Sequence, residues 1–280
     1  MEFGMPTLIE NATIEENVKL CSELGLQFIE LNMNFPEYQL SGIEDTNKLY
    51  KIADKVGVYY TIHLDENLNI ADFNILVANA YLDTVKRTIS VAKKLLPLQN
   101  KYGTSCQPFV INMHMNHGIY ITLPDKKVQM YDRDFDMYIQ SFINFRLLCE
   151  EWIGNANIMI CIENTNGFRE YEKKAIEYLL DSPKFGLTWD IGHSKAVQEV
   201  DESFIMEHLD RLRHFHIHDA IASSKKCKAA DHLALGDGEI DINAKIELAE
   251  KTNSKCVLET KTIQALKSSV SFIKSNKLNR

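Results

Sequence analysis

Short apolar runs alternate with longer segments of helical period along the whole chain, and turn-forming residues separate them. Phe3–Thr7, Gln27–Asn32, Val58–Leu64 and Pro108–His114 read as the first four strands. Asn157–Glu163, Phe185–Ile191, Leu212–His218 and Lys255–Thr260 continue the series to eight. Between strands the apolar positions change to helical spacing, as in Ile14, Val18, Cys21 and Leu24 within Thr13–Leu24. Further helices are expected over residues 43–56, from the end of a polar loop at Asn74 to about Leu96, and over residues 135–152. The proline at position 97 is expected to stop the second of these. Phe168–Leu180, Lys195–Leu209, Ile240–Ala249 and Thr262–Lys274 complete the set. Long loops are expected at Asp65–Asn74, after His114, and over Asp219–Gly238.

Strands that alternate with helices imply a parallel sheet with helical crossovers. Eight such units in 280 residues imply an α/β fold, a closed (β/α)8 TIM barrel forming a single domain over residues 1–280. An open doubly wound sheet is the rival, but it announces itself with a glycine-rich first turn, and none stands here.

The chemistry lies where the strands end. In Asn157–Gly167, NIMICIENTNG, an apolar run reaches Glu163 and then a turn cluster. Alternation puts Met159, Cys161 and Glu163 on one face. The same pattern recurs: Glu30, His63, His114, Glu163, Asp190, His216 and Glu259 all fall at or near strand ends. Barrel closure gathers those ends at the C-terminal mouth. Acids and imidazoles gathered without cations would repel and desolvate one another, and no Lys or Arg recurs at these positions. A divalent metal resolves the conflict, and mixed imidazole and carboxylate ligation suits Zn2+, Mn2+ or Co2+.

Composition narrows the reading. The formal charge of −8 argues against a nucleic-acid partner without excluding one, since bound metal would add positive charge. No run of 18 apolar residues is present, so no membrane span is expected. MEFGMPTLIE has no signal-peptide pattern, and a cytoplasmic location is expected. Six scattered cysteines form no C-x-x-C pair, and neither disulfides nor a cysteine zinc site is signalled. A homo-oligomer is compatible with this composition.

The motifs TIHL, INMH, IENTNG, TWDIGH, HFHIHDA, DHLALGDG and LETK, in this order, resemble the xylose-isomerase-like TIM barrels. That superfamily contains sugar and sugar-phosphate isomerases and epimerases and the endonuclease-IV-type abasic-site nucleases. The resemblance implies one shared metal site on Glu163, Asp190, His216 and Glu259. It implies that Glu163 and Glu259 also move the substrate proton through a metal-stabilised enediolate, and that His193 contacts a small carbohydrate substrate. In nuclease members His63 and His114, with Glu163, would hold a second metal. A third would use His193, His232 and an acid two residues before His232, where Ala230 stands here; neighbouring Asp231 is the remaining acid. QFIELNMNFP is closer to the isomerase second strand, whereas the His63/His114 pair leans toward the nuclease. The epimerases' substrate-binding Arg beyond His216 is absent, since residues 219–223 read DAIAS.

The leading expectation is a metal-dependent sugar or sugar-phosphate isomerase or epimerase. An abasic-site endonuclease is the alternative, and a non-catalytic sugar-binding barrel the third. His218, His232 and Glu30 are expected as substrate contacts, with His218 alternatively packing behind a ligand or binding metal in place of His216, and Glu30 alternatively capping the barrel mouth. His214 reads as a core residue, His117 as a loop residue able to reach the site, His208 as solvated on a helix, and Trp189 as packed under the helices. Gly236-Asp237-Gly238 reads as a turn, and Lys225, Lys226 and Lys228 as a solvated loop face that could reach a phosphate.

Overall fold

A computed structural model describes residues 1–104, 106–223 and 229–278. Eight parallel strands close on themselves: β1 Phe3–Pro6, β2 Phe28–Asn32, β3 Tyr59–His63, β4 Phe109–His114, β5 Ile158–Glu163, β6 Phe185–Asp190, β7 Leu212–Ile217 and β8 Lys255–Leu258. They follow one another around the barrel in chain order, and β8 pairs with β1 to seal it. The closed (β/α)8 barrel expected from the alternation is the observed fold.

Both faces of these strands are buried, as parallel barrel strands require. Helices cover the outside, and their apolar stripes meet the outward side chains of the sheet. Thr13 caps α1 (Ile14–Leu24) in a reciprocal capping box with Glu16, and Gly25 ends it in the left-handed region at φ 73°. The expected helix at residues 43–56 is split into a turn at Leu40–Ile43 and α2 (Thr46–Asp54), capped by Asp45.

Three expectations need correction. Pro97 does not stop its helix: α3 runs from Ile75 to Tyr102. Leu95, Leu98 and Gln99 are buried on either side of the proline, so tertiary packing outweighs the lost hydrogen bond. The expected helix Lys195–Leu209 is two pieces, α6 (Ile191–Ala196) and α7 (Glu202–Glu207). Gln198 and Glu199 take positive φ between them, and the bend brings buried Asp201 to the Phe168 amide, 2.9 Å away. Asp190 caps α6 directly, so no free turn separates strand from helix. The long loops are also not structureless. Tyr120–Thr122 pairs with Lys127–Gln129, and Asp219–Ile221 with Ala230–Leu233, each antiparallel.

The remaining helices, α4 (Phe135–Ile153), α5 (Glu170–Leu180), α8 (Ile242–Lys251) and α9 (Ile263–Leu278), fall close to their expected spans. Among the described residues no helix is long and apolar enough to cross a membrane, and Cys21, Cys106, Cys149, Cys161 and Cys256 are free. Cys227, Lys225, Lys226 and Lys228 lie outside the described residues.

Candidate metal centre and substrate cleft

Glu163 ends β5, Asp190 ends β6, His216 is the fifth residue of β7, and Glu259 follows β8. Each offers one donor atom to a group in which all four atoms lie within 4.8 Å of one another. Parallel register creates this convergence: Asp190 stands beside His216, and the Glu259 amide continues the ladder onto the Ile217 carbonyl at 3.0 Å. His216 sits at the centre. Its Nδ1 is 3.1 Å from Glu163 Oε1, 3.2 Å from Glu259 Oε2 and 3.9 Å from Asp190 Oδ2.

Neutral side chains set the posture of the acids. The Asn112 amide donates to Glu163 Oε2, and the Thr188 hydroxyl donates to Asn112 Oδ1 at 2.6 Å. Buried Asn164 donates to the Asp190 carbonyl at 3.0 Å and accepts from the Asp190 amide at 2.9 Å, tying the ends of β5 and β6 together. Asp190 Oδ1 accepts from the His193 amide at 2.7 Å. Asp219, immediately beyond the His216–His218 stretch, accepts from Ala220, Gly236 and Ile240 amides, so the Gly236-Asp237-Gly238 turn wraps a carboxylate. A Cβ on Gly238 would overlap that carboxylate.

The electrostatics are those of a crowded acidic site. Burial pushes the Glu163 carboxyl up, but His216 and His114 outweigh it and hold it well below the usual carboxylate range. Asp190 is likewise pushed up by burial and held lower by His218 and His193. Burial opposes charge on His216, yet Glu163, Glu30 and Glu259 hold its imidazole well above the ordinary value. His193 is disfavoured by burial but raised to about 10 by Asp190. Among the described residues one ammonium reaches the group: Lys261 Nζ lies 2.9 Å from Glu259 Oε1. It touches no other member, and Glu259 Oε2 is buried without a hydrogen bond, although His216 is near. Three carboxylates and an imidazole with one carboxylate oxygen unsaturated are a donor set that fits a divalent cation.

His63 and His114 lie beside this group, their Nε2 atoms 3.4 and 3.1 Å from Glu163 Oε2. His63 Nδ1 is 2.7 Å from the Leu64 carbonyl, which places a hydrogen on Nδ1 and turns the Nε2 lone pair toward the carboxylate. That contact needs a proton or a cation between the two atoms.

His193, His218 and His232 also gather within 4.8 Å. Their geometry does not suit one ion, because the rings of His218 and His232 stack in parallel, 4.2 Å apart and inclined by 6°. Imidazole lone pairs lie in the ring plane, so neither ring can aim at an ion in the other's plane. His218 Nδ1 accepts the His232 amide at 2.7 Å, which puts its hydrogen on Nε2, 3.1 Å from Asp190 Oδ1. A Cβ on Gly192 would overlap the His218 ring. His218 therefore backs Asp190 and does not open onto the cleft. Asp231, the spare loop acid, lies 3.0 Å from His232 Nδ1.

A cleft of about 290 Å³ opens beside the group, lined by Glu66, His114, Asn116, His117, Thr165 and His193. His117 does reach it, held by buried Glu172, whose Oε1 is 2.7 Å from Nδ1. Glu30 does not: it is 1% exposed beneath His216, with Oε1 2.8 Å from Nε2. His214 is buried, 3.5 Å from Glu30, and burial drives its pKa down to about 3. Trp189 is buried against Phe215, with Lys245 over its ring. His208 is half-buried just past α7, bonded to the Phe204 carbonyl, and not solvated on a helix. Asn112, Thr188, Asn164 and Lys261 were not singled out by sequence. The LETK motif held Lys261, and the strand-four alternation held Asn112, but a neutral amide carries no signal of its own.

No curated protein matches this sequence. Solved structures do share its fold. A D-tagatose 3-epimerase-like protein superposes with a TM-score of 0.72 at 20% identity, over 99% of this chain and 98% of its own. The 3-keto-D-glucoside 4-epimerase YcjR from E. coli gives 0.70 at 14% identity, covering 98% and 99%. The D-psicose 3-epimerase of Clostridium cellulolyticum H10 with D-tagatose gives 0.67 at 13%, covering 99% of each. Residues 18–276, which carry all four donors, match the sequence pattern of one family, and the chain belongs to the xylose isomerase-like TIM barrels.

Proposed function

We propose that this protein is a metal-dependent isomerase or epimerase of a sugar or sugar phosphate. The observation that carries the reading is the convergence of Glu163, Asp190, His216 and Glu259 from four successive strands onto one point beside a polar cleft. These four would hold the ion, of which Mn2+, Co2+ and Zn2+ are the candidates. When bound, a divalent ion supplies Lewis acidity to adjacent sugar oxygens. The sugar epimerases among the structural neighbours support a carbohydrate as substrate.

Glu163 and Glu259 come from strands separated by β6 and β7, and they flank His216. A sugar carbon held between them would present opposite faces to the two carboxylates. One carboxylate takes the proton from the carbon next to the carbonyl, and the other returns a proton from the opposite face. Asn112 holds Glu163 against rotation, and Lys261 does the same for Glu259. His193 and His117 line the cleft and would bind hydroxyls.

One observation favours a second reading. His63 and His114 converge on the Glu163 oxygen that the four-donor group does not share with His216. Glu163 could then bridge two ions, as in the abasic-site nuclease alternative. The test for both is a screen of ketoses, ketose phosphates and an abasic-site oligonucleotide against protein reconstituted with each metal. Turnover of a ketose without strand cleavage supports the first reading. Strand cleavage alone rejects it.

A further inference from the structure

Beneath the four-donor group lies a carboxylate that the proposed chemistry does not use. Glu30 stands on β2 in register with Thr61, one layer below the Asn32–His63 pair. Its Oε1 is 2.8 Å from His216 Nε2. Its Oε2 receives the Thr61 hydroxyl at 3.3 Å and lies 3.5 Å from His214 Nε2. An ionised carboxylate only accepts hydrogen bonds, and a neutral imidazole carries one N–H. The 2.8 Å contact therefore selects the tautomer of His216 with hydrogen on Nε2. The Nδ1 lone pair is left facing Glu163 and Glu259. A lone pair turned toward two carboxylates is favourable only with a proton or a cation among them, and a divalent cation takes the place of that proton when it binds.

The rest of the layer holds this arrangement in place. Thr188 donates to Asn112 at 2.6 Å, so its oxygen is free to accept from His214 Nδ1 at 3.2 Å. Asn112 in turn donates to Glu163. The hydrogen-bonded contacts run as an open chain from Glu30 through His216, Glu163, Asn112 and Thr188 to His214, contributed by β2, β7, β5, β4 and β6, and His214 Nε2 lies 3.5 Å from Glu30 without a hydrogen bond.

We infer that Glu30 is a positioning residue that fixes the orientation and tautomer of His216, making Nδ1 the metal-binding nitrogen. Glu30 contacts neither the cleft nor the proposed substrate. The inference rests on the reading of the four-donor group as a divalent-cation site. Carboxylates behind a ligating histidine raise its basicity, and removing them weakens metal binding by roughly 10–100-fold.

The test is a Co2+ titration of metal-free wild type and Glu30→Gln, followed by the visible absorption of bound Co2+. Glu30→Gln is expected to bind roughly 10–100-fold more weakly. The metal-free variant is expected to keep a cooperative thermal transition, which shows that it folds. A folded Glu30→Gln that binds Co2+ as tightly as wild type overturns the inference. A second measurement needs no variant: 15N-histidine spectra of the Zn2+-loaded wild type. Hydrogen on Nε2 of His216 with the metal shift on Nδ1 is expected, and the opposite tautomer overturns the inference even if Glu30→Gln does not fold. Wild type that binds no Co2+ at all would instead sink the cation-site reading, and this inference with it.

Discussion

The two ends of the barrel solve the problem of buried charge in opposite ways. Each has a cavity of about 290 Å³, so size does not tell them apart. At the N-terminal floor the cavity is lined mainly by apolar residues such as Phe3, Leu24, Leu26 and Ile273. One buried cation, Lys255 at the start of β8, points inward there. It donates to Gln99 Oε1 and to the Pro108 carbonyl, both at 2.7 Å, and Gln99 donates onward to the Gln107 carbonyl at 2.7 Å. Burial pushes its ammonium down to about 7, toward the neutral amine. The mouth instead packs Glu163, Asp190 and Glu259 around His216, with His63, His114, His193 and His218 against the same acids, and leaves a Glu259 oxygen without a hydrogen bond. The floor spreads one ammonium over neutral oxygens and sets a single buried carboxylate near it, Glu2, whose Oε1 accepts the Thr104 amide at 2.9 Å and whose Oε2 is likewise without a hydrogen bond. A mouth that concentrates like charge gives up stability, and function is the reason to keep it.

The contrast can be broken most sharply by removing charge at each end. Glu259→Gln at the mouth should lower turnover of the ketose found by screening by about 10³-fold or more, as loss of a proton-transfer group does. The thermal midpoint of the metal-free variant should fall, because His216 and Lys261 hold the Glu259 carboxyl below the usual carboxylate range and lose that partner. Activity within tenfold of wild type would reject Glu259 as a proton carrier.

At the floor, Lys255→Met should leave turnover within about threefold and change only the pH dependence of stability. Lys255 titrates near 7 when folded and near its ordinary value when unfolded. Between those values the unfolded chain binds more protons, so this residue makes stability rise with pH. Its penalty is full below pH 7 and relieved as pH climbs toward 10. Wild type should therefore gain up to about 4 kcal/mol over the variant across that window in denaturant titrations. Parallel pH profiles would show that the floor lysine remains charged.

The smallest effect concerns the support of the mouth. Gly192→Ala should cost about 1–3 kcal/mol, since the added carbon overlaps the His218 ring that backs Asp190. Metal affinity should fall with it. A variant as stable as wild type would mean that the ring is free to move aside.

Much of this was legible in the sequence because barrel strands obey a period of two. Alternation put Glu163 on one face with Met159 and Cys161, and it located the strand ends. Depth along the barrel was not legible. Glu30 falls on the expected face but a layer below the mouth, because strand register depends on pairing with β3 and not on local pattern. Pro97 misled for a related reason: helix α3 is held by buried contacts on both sides of the proline, and those contacts are tertiary. Loop hairpins such as Asp219–Ile221 with Ala230–Leu233 pair residues too far apart in the chain to leave a local signature.

The most direct measurement is metal stoichiometry. Protein stripped with a chelator would be dialysed against Mn2+, Co2+ or Zn2+ and its metal content determined alongside Asp190→Asn and His216→Ala. At least one ion per wild-type chain is expected, lost in both variants, with a second ion bound only if His63, His114 and Glu163 form their own site. Wild type without bound metal, or binding that survives both substitutions, would contradict the assignment of the four converging side chains as a cation site.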